Sequence, residues 1–190
     1  MPIPFRTCTM TRRYTFSRYA SLAPALCLAI AALASSGTAM AAEPQLLGSF
    51  RDWNAFSYEE NGNKVCYMSS RPKKDEGNYK QRGDIYVLIT HRPAEKSLDV
   101  VSVTTGYTYQ PNSEATVSVG NQNFKLFTDG DTAWARDERT DKSLVEAIRT
   151  GSAMVIKGTS NRGTATTDTY SLSGTSAAYD AINKACNVKR

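Results

Sequence analysis

Turn-forming dipeptides recur along this chain between short runs of β-branched and aromatic residues. Most of them pair glycine with asparagine or aspartate, which tolerate the positive φ angles of a two-residue hairpin connection. The predicted turns lie at Asn61-Gly62, Gly120-Asn121, Asp129-Gly130 and Arg162-Gly163. Turns at this spacing leave room only for short strands, so they favour a mainly antiparallel β structure.

Residues 85–89 read Ile-Tyr-Val-Leu-Ile and show no alternation between apolar and polar residues. This pattern predicts a central strand that is buried on both faces, with residues 98–103 as its neighbour. The other strands alternate, as expected where one face meets water. The predicted fold is therefore an antiparallel β-sandwich or flattened barrel with two short helices.

The first predicted helix carries its own start and stop signals. Ser143 and Glu146 have the spacing of a capping box, in which each side chain satisfies an orphan backbone amide. Leu144 and Ile148 are four residues apart and share a face. Gly151 then predicts a left-handed stop.

The first 41 residues have the composition of a secretory signal peptide. Arginines without any acidic residue precede an apolar run at 22–33, and small residues end at a cleavage site between Ala41 and Ala42. The run of about 12 residues is shorter than the roughly 20 that a spanning helix needs. We expect a periplasmic or secreted protein, with outer-membrane association as an option. The mature chain, residues 42–190, is expected to be a single β-rich domain without a transmembrane span.

Removal of this segment changes the charge argument. The whole chain has a net charge of +5, but residues 42–190 hold 19 basic and 18 acidic residues. A nearly neutral protein lacks the basic excess of nucleic-acid-binding proteins, so no nucleic-acid partner is predicted. Translation from Met1 or from Met10 would give the same mature chain.

The segment also contains two of the four cysteines, so Cys66 and Cys186 remain. In an oxidising compartment they can form one disulfide, which we favour because a redox pair needs closer spacing and a metal site needs further ligands. The second predicted helix spans about residues 176–186, where Ala178, Ile182 and Cys186 share one face. The disulfide would staple this helix to an early strand.

No catalytic residue, metal ligand or cofactor is predicted. His91 is the sole histidine, and we expect it at an exposed strand end without a nucleophile or an orienting partner beside it. The acidic pairs that begin at Glu59, Asp75 and Asp137 are expected in solvated turns. An envelope-polymer hydrolase that uses carboxylates brought together by folding is the alternative.

Two further features could contact a partner. Residues 71–82 are basic and include Tyr79, so they form either a solvated loop or a loop that binds an anionic glycan or lipid headgroup. Arg82, Gly83 and Asp84 form the tripeptide that host adhesion receptors recognise in other proteins, and they are candidate partner-binding residues.

Core filling is the expected role of the alternating aromatic residues, with a ligand groove as the alternative. These aromatic residues are Phe50, Trp53, Phe56, Tyr58 and Tyr67.

The chain resembles the invasion-associated locus B family of secreted bacterial proteins in the order and spacing of several elements. These elements are Phe50-x-x-Trp53 before Cys66, Gly151 after the first helix, and Asp168-x-Tyr170-Ser171-Leu172-x-Gly174 before an alanine-rich helix with Cys186. The resemblance implies an all-β extracytoplasmic domain of alphaproteobacteria that is linked to host-cell entry or stress survival and has no established enzyme activity. Residues 133–136 lack the further cysteine pair of many relatives, which indicates a divergent branch.

Together these observations predict a non-enzymatic exported protein that binds a protein or cell-envelope partner. The family resemblance implies a role in host-cell invasion or envelope stress survival.

Overall fold

The computed structural model describes residues 43–189. This part of the chain forms eleven β-strands and two α-helices. The strands are β1 (Gln45–Phe50), β2 (Trp53–Glu60), β3 (Asn63–Ser70), β4 (Lys74–Gly77), β5 (Tyr86–Arg92), β6 (Ser97–Thr104), β7 (Glu114–Val119), β8 (Gln122–Asp129), β9 (Thr132–Trp134), β10 (Ala153–Thr159) and β11 (Ala165–Ser171). The helices are α1 (Glu138–Thr150) and α2 (Thr175–Ala185), and a short 3-10 turn spans Pro93–Glu95.

All eleven strands belong to one antiparallel sheet in the order β1-β2-β3-β5-β6-β9-β8-β7-β10-β11-β4. The sheet is not closed, because β1 and β4 are its two edges. Strands far apart in this order share one buried core, since Trp53 of β2, Leu126 of β8 and Ile156 of β10 belong to the same cluster. The indole Nε1 of Trp53 also donates to the carbonyl of Ser171 at the end of β11, at 3.1 Å. The mainly antiparallel β fold with two short helices is thus confirmed.

The buried face of β5 corrects the sequence prediction for residues 85–89. Val87, Ile89 and His91 point into the core, whereas the alternate residues Tyr86 and Leu88 are only half-buried. The strand is therefore one-sided, and its second face is open to solvent contact. Its predicted neighbour is confirmed, because β6 pairs with β5.

The predicted turns are largely confirmed. Asn61-Gly62 connects β2 to β3, and both residues have positive φ. Gly120-Asn121 connects β7 to β8, while the connection near Arg162-Gly163 joins β10 to β11. The third turn is shifted by one residue, since Asp129 pairs with Thr132 and the turn residues are therefore 130 and 131.

Helix α1 begins earlier than the capping-box prediction. Asp137 is the N-cap, and its carboxylate accepts a hydrogen bond from the Thr140 backbone N–H at 2.8 Å, so Ser143 lies inside the helix. The helix ends at Gly151 as predicted, but this glycine has an extended backbone with φ −81°, not a left-handed one. Its small size matters instead, because an added Cβ would lie 2.6 Å from Val119 Cγ1.

Helix α2 packs against β1, β2 and β3. Ala178, Ile182 and Cys186 face the core as the spacing predicted. Cys186 forms a disulfide with Cys66 of β3, across 120 residues of sequence, so the predicted staple is confirmed. Neither helix within residues 43–189 has the length and hydropathy needed to cross a membrane.

Candidate functional site

A groove of about 730 Å³ crosses the outward face of β2, β3 and β5, and we call it the outer groove. Its lining combines aromatic rings, hydroxyl and amide groups, and cationic side chains. The lining residues are Pro44, Arg51, Asp52, Asn54, Phe56, Tyr58, Tyr67, Ser69, Ser70, Arg71, Pro72, Lys73, Tyr86, Leu88, Thr90 and Arg92. Its volume falls in the range of about 300–1,000 Å³ that is usual for ligand sites.

Strand alternation explains why these residues gather on one face. In β2, Trp53 and Ala55 are fully buried in the core, so Asn54 and Phe56 point the other way. In β3, Tyr67 is half-buried between the core residues Cys66 and Met68. Each of these strands therefore contributes one side to the core and the other to the outer groove.

The aromatic floor of the groove is built by cross-strand pairing. Phe56 lies directly opposite Tyr67, which in turn lies opposite Thr90 of β5. The rings of Phe56 and Tyr67 stack with centroids 5.0 Å apart, and Tyr58 meets Tyr67 edge-on at 6.1 Å. Burial, with a further contribution from Tyr58, raises the pKa of Tyr67, so its hydroxyl stays protonated as a hydrogen-bond donor.

Cationic side chains stand at both ends of the groove. Arg51, Arg71 and Lys73 lie at the end where β2 begins and β3 ends, and Arg92 lies at the far end of β5. Among residues 43–189, Asp52 is the only carboxylate that lines the groove. The groove lining is therefore biased toward positive charge.

These cations have surface partners. The Lys73 ammonium is 2.5 Å from the Asp52 carboxylate. A hydrogen bond from Lys73 has the largest effect on the pKa of Asp52, and together with one from Ser171 it lowers that pKa. Arg71 pairs with Asp84 at 3.0 Å, with both side chains about 70% exposed. Exposed pairs of this kind are weak and exchange readily with other anions.

Arg92 has a different environment at the far end. Its guanidinium pairs with Glu60 and donates to the Tyr58 hydroxyl at 3.2 Å. Burial alone would lower the pKa of Arg92, but these partners raise it overall. Arg92 therefore anchors the orientation of Tyr58 beside the aromatic floor.

The structure corrects the interpretation of Arg82 in the Arg82-Gly83-Asp84 tripeptide. The guanidinium is only 4% exposed and makes a two-point ion pair with Asp168 at 2.6 and 2.7 Å. It also donates to the Thr105 carbonyl. The Arg82 side chain is buried and fully paired within the domain, so an adhesion receptor cannot contact it without local unfolding. Asp84 is exposed, and partner binding through Gly83 and Asp84 stays a prediction.

His91 is also placed differently from the expectation of an exposed strand end. Its side chain is fully buried, and its Nδ1 accepts a hydrogen bond from the Asp99 backbone N–H at 3.1 Å. The Tyr179 hydroxyl donates to the Asp99 carboxylate at 2.7 Å, and the Tyr179 ring lies edge-on to His91. His91 thus helps to fasten helix α2 to the sheet.

One residue of each acidic pair, itself outside the lining of the outer groove, makes a structural contact. Asp137 caps helix α1, and Glu60 pairs with Arg92. Asp75 and Glu76 lie in edge strand β4, not in the turn that was expected, and Asp75 accepts a hydrogen bond from Tyr79. Within residues 43–189 no cluster of three or more His, Cys, Asp or Glu side chains is arranged to hold a metal ion. The predicted cleavage site between Ala41 and Ala42 lies outside the described residues.

Sequence reasoning missed one side of the groove. Tyr86 and Leu88 belong to residues 85–89, which the sequence predicts to be buried on both faces, yet together with Thr90 they form the β5 wall. The hydroxyl of Tyr86 within the apolar run, and that of Thr90 directly after it, were the available signal, because buried hydroxyls need partners. The basic residues 71 and 73 were recognised, but their position beside the aromatic residues was not.

Comparison with known proteins finds one matching family model and a solved structure with a similar fold. A family model described as Invasion associated locus B (IalB) protein matches residues 53–183, which include all three strands of the outer groove. A crystal structure of invasion associated protein b from Bartonella henselae matches with a TM-score of 0.53 and 16% sequence identity, covering 75% of this chain and 97% of that chain. No curated protein matches the sequence.

Proposed function

The chain belongs to the invasion associated locus B family, and we propose that it is an exported binding protein without enzymatic activity that uses the outer groove to hold a protein or cell-envelope partner. A role in host-cell invasion or envelope stress survival is part of this proposal. The structural relative from Bartonella henselae, an invasion associated protein, supports it at the level of the fold. The amino-terminal segment supports export to the periplasm or beyond.

The observation that carries the proposal is the composition of the outer groove. Tyrosine and arginine are the side chains that most often dominate binding energy at interfaces, since each combines contact area with hydrogen bonding. The groove brings together Tyr58, Tyr67 and Tyr86 with Arg51 and Arg71. Such side chains on an otherwise regular sheet face are available for a partner, because the core is already filled from the opposite face.

The composition of the outer groove favours binding over hydrolysis of an envelope polymer at this site. A glycoside hydrolase needs two carboxylates roughly 5–10 Å apart in one cleft. The outer groove is lined by one, Asp52, and that carboxylate is held by Lys73. A carboxylate with a lowered pKa is also poorly suited to act as a general acid.

Site-specific cross-linking tests the proposal. A photo-reactive amino acid is introduced at Asn54, which is exposed in the groove, and in a second variant at Lys157, which is exposed on β10. Intact cells that export each variant are irradiated. We expect a discrete adduct from position 54 that position 157 does not give. Identical adducts from both positions, or none from position 54, would refute binding through the groove.

A further inference from the structure

We propose that the occupant of the outer groove is an acidic polysaccharide, a chain of sugar rings that carries carboxylate or sulfate groups. This inference rests on the proposed function and names the chemistry of its partner. It follows from three properties of the groove: its interior strands, its stacked aromatic floor and its exchangeable cations.

The floor of the groove presents side chains to a ligand, because its three strands have no unpaired edge whose backbone N–H and C=O groups could bind one. Strands β2, β3 and β5 each have hydrogen-bonded neighbours on both sides, in the order β1-β2-β3-β5-β6. An extended peptide that adds to a sheet needs an unpaired strand edge for its main-chain hydrogen bonds. The occupant must therefore be recognised through its own faces and charges, which sugar rings with anionic substituents provide.

The aromatic floor suits the apolar face of a sugar ring. Phe56 and Tyr67 lie parallel within 16°, and Tyr58 and Tyr86 flank them with hydroxyl groups. Phe56 and Tyr67 cover one face of each other, so a sugar ring can pack its C–H groups only on the remaining faces and the ring edges, while a tyrosine hydroxyl serves a neighbouring polar atom. Asn54, which is exposed beside this floor, adds an amide that both donates and accepts hydrogen bonds to sugar hydroxyls.

The cations select an acidic chain over a neutral one. Arg71 and Lys73 flank the entrance with partners at the protein surface, Asp84 and Asp52. A ligand carboxylate or sulfate can replace such a partner at small cost, because both side chains of the Arg71–Asp84 pair stay largely in water. Arg51, exposed at the same end, adds a third positive charge.

Two competing occupants predict different results in a binding titration. Single-stranded nucleic acid also stacks on aromatic side chains, but its binding proteins carry a positively charged groove that follows its backbone, whereas the cations of the outer groove stand at its two ends. A folded protein partner would suit the same aromatic and arginine side chains, and it predicts that neither acidic glycan binds.

Binding of defined polymers tests the inference. Purified protein is titrated calorimetrically with heparin, polygalacturonate, neutral dextran, polyglutamate and a single-stranded oligonucleotide. We expect heparin or polygalacturonate to bind about tenfold more tightly than polyglutamate of equal charge, with no binding of dextran. Polygalacturonate carries carboxylates alone, whereas heparin carries carboxylates and sulfates, so tighter binding of heparin would show that sulfate adds to recognition. Equal or tighter binding of polyglutamate or the oligonucleotide, or no binding of either acidic glycan, would overturn the inference.

Matched variants locate the site. Replacing Arg51, Arg71 and Lys73 together with glutamine is expected to weaken glycan binding by about tenfold or more. The control replaces an equal number of exposed cations outside the groove, at Arg139, Lys142 and Lys157, and is expected to leave affinity within about twofold. Equal loss in both variants would mean that the glycan responds to total charge and not to the groove.

A ring variant supplies an independent readout. Tyr67→Leu keeps an apolar contact with Phe56, so the urea midpoint should stay close to that of the wild type while glycan affinity falls by about fivefold or more. Unchanged affinity would overturn the stacking argument. If no acidic glycan binds while the Asn54 cross-link persists, the chemistry named here fails and the proposed function stands. If the cross-link also disappears, both fail.

Discussion

Asp141 is a buried carboxylate in the first turn of helix α1 whose ionisation should set the pH dependence of stability. It is 8% exposed, and its Oδ1 accepts a hydrogen bond from the Val101 backbone N–H at 2.9 Å. Burial, reinforced by the negative charges of Asp99, Asp137 and Glu138, raises its pKa from 3.8 to about 6. The hydrogen bond from Val101 opposes this shift but does not cancel it.

The Asp141→Asn variant removes the ionisation while keeping an oxygen that can accept from Val101. Because the folded-state pKa is raised, the native state binds the proton more tightly than the unfolded chain, so stability falls as pH rises from about 4 to about 6 and is flat above. A shift of about two pKa units corresponds to roughly 3 kcal/mol at most. We therefore expect the variant to be more stable than wild type by roughly 1–3 kcal/mol near pH 7.5 and equally stable near pH 4.

Urea denaturation followed by tryptophan fluorescence, repeated from about pH 4 to about pH 8, measures this difference. The matched control is Asp137→Asn at the helix cap. Hydrogen bonds from Thr140 lower the pKa of Asp137, so the carboxylate contributes stability that is present above the unfolded pKa and lost as pH falls. This control should therefore destabilise the protein at neutral pH. The reasoning is refuted if Asp141→Asn and wild type differ by the same free energy at both ends of the pH range.

Four further variants test the fold. Serine at both Cys66 and Cys186 opens a loop of 120 residues and should lower the free energy of unfolding by up to about 4–5 kcal/mol, measured by urea titration. Asp168→Asn strips a buried guanidinium of its counter-charge and should cost about 3–5 kcal/mol in the same assay. Gly174→Ala should cost more than about 2 kcal/mol, because the new Cβ would lie 1.9 Å from the Phe50 carbonyl oxygen. Gly163→Ala, with positive φ but open space, should cost only about 1–2 kcal/mol in thermal unfolding.

The local sequence predicted the turns, strands and helices better than it predicted which side chains are buried or ion-paired. The hairpin at Asn61-Gly62 and the inward face of helix α2 depend on backbone preference and side-chain spacing, which are readable over a few residues. The predicted start of helix α1 at Ser143 was wrong because Asp137, six residues earlier, is also a capping residue. Asp137 provides the cap, so the Ser143 signal falls inside the helix and has no orphan amide to satisfy.

The site was harder to predict because it depends on non-local pairing. Arg82 looked like a displayed cation, and only its distance to Asp168, 86 residues away, shows that it is internal. His91 looked exposed because Arg92-Pro93 follows it, yet strand alternation places it with Val87 and Ile89 in the core. The ion pair of Arg82 cannot be read from the local sequence because its partner comes from a distant strand, whereas the burial of His91 follows the alternation along β5.

The outer groove and the core are two faces of the same strands, so whatever fixes strand register also fixes the groove. A slip of one residue in β3 would turn Tyr67 inward and Cys66 outward, since successive side chains point to opposite faces. The disulfide forbids this slip by holding Cys66 against Cys186 on the inner side. Trp53, whose indole donates to the Ser171 carbonyl, sets the inward face of β2 in the same way. The staple that secures helix α2 therefore also holds Tyr67 opposite Phe56, and a binding surface made of side chains alone depends on that register being kept.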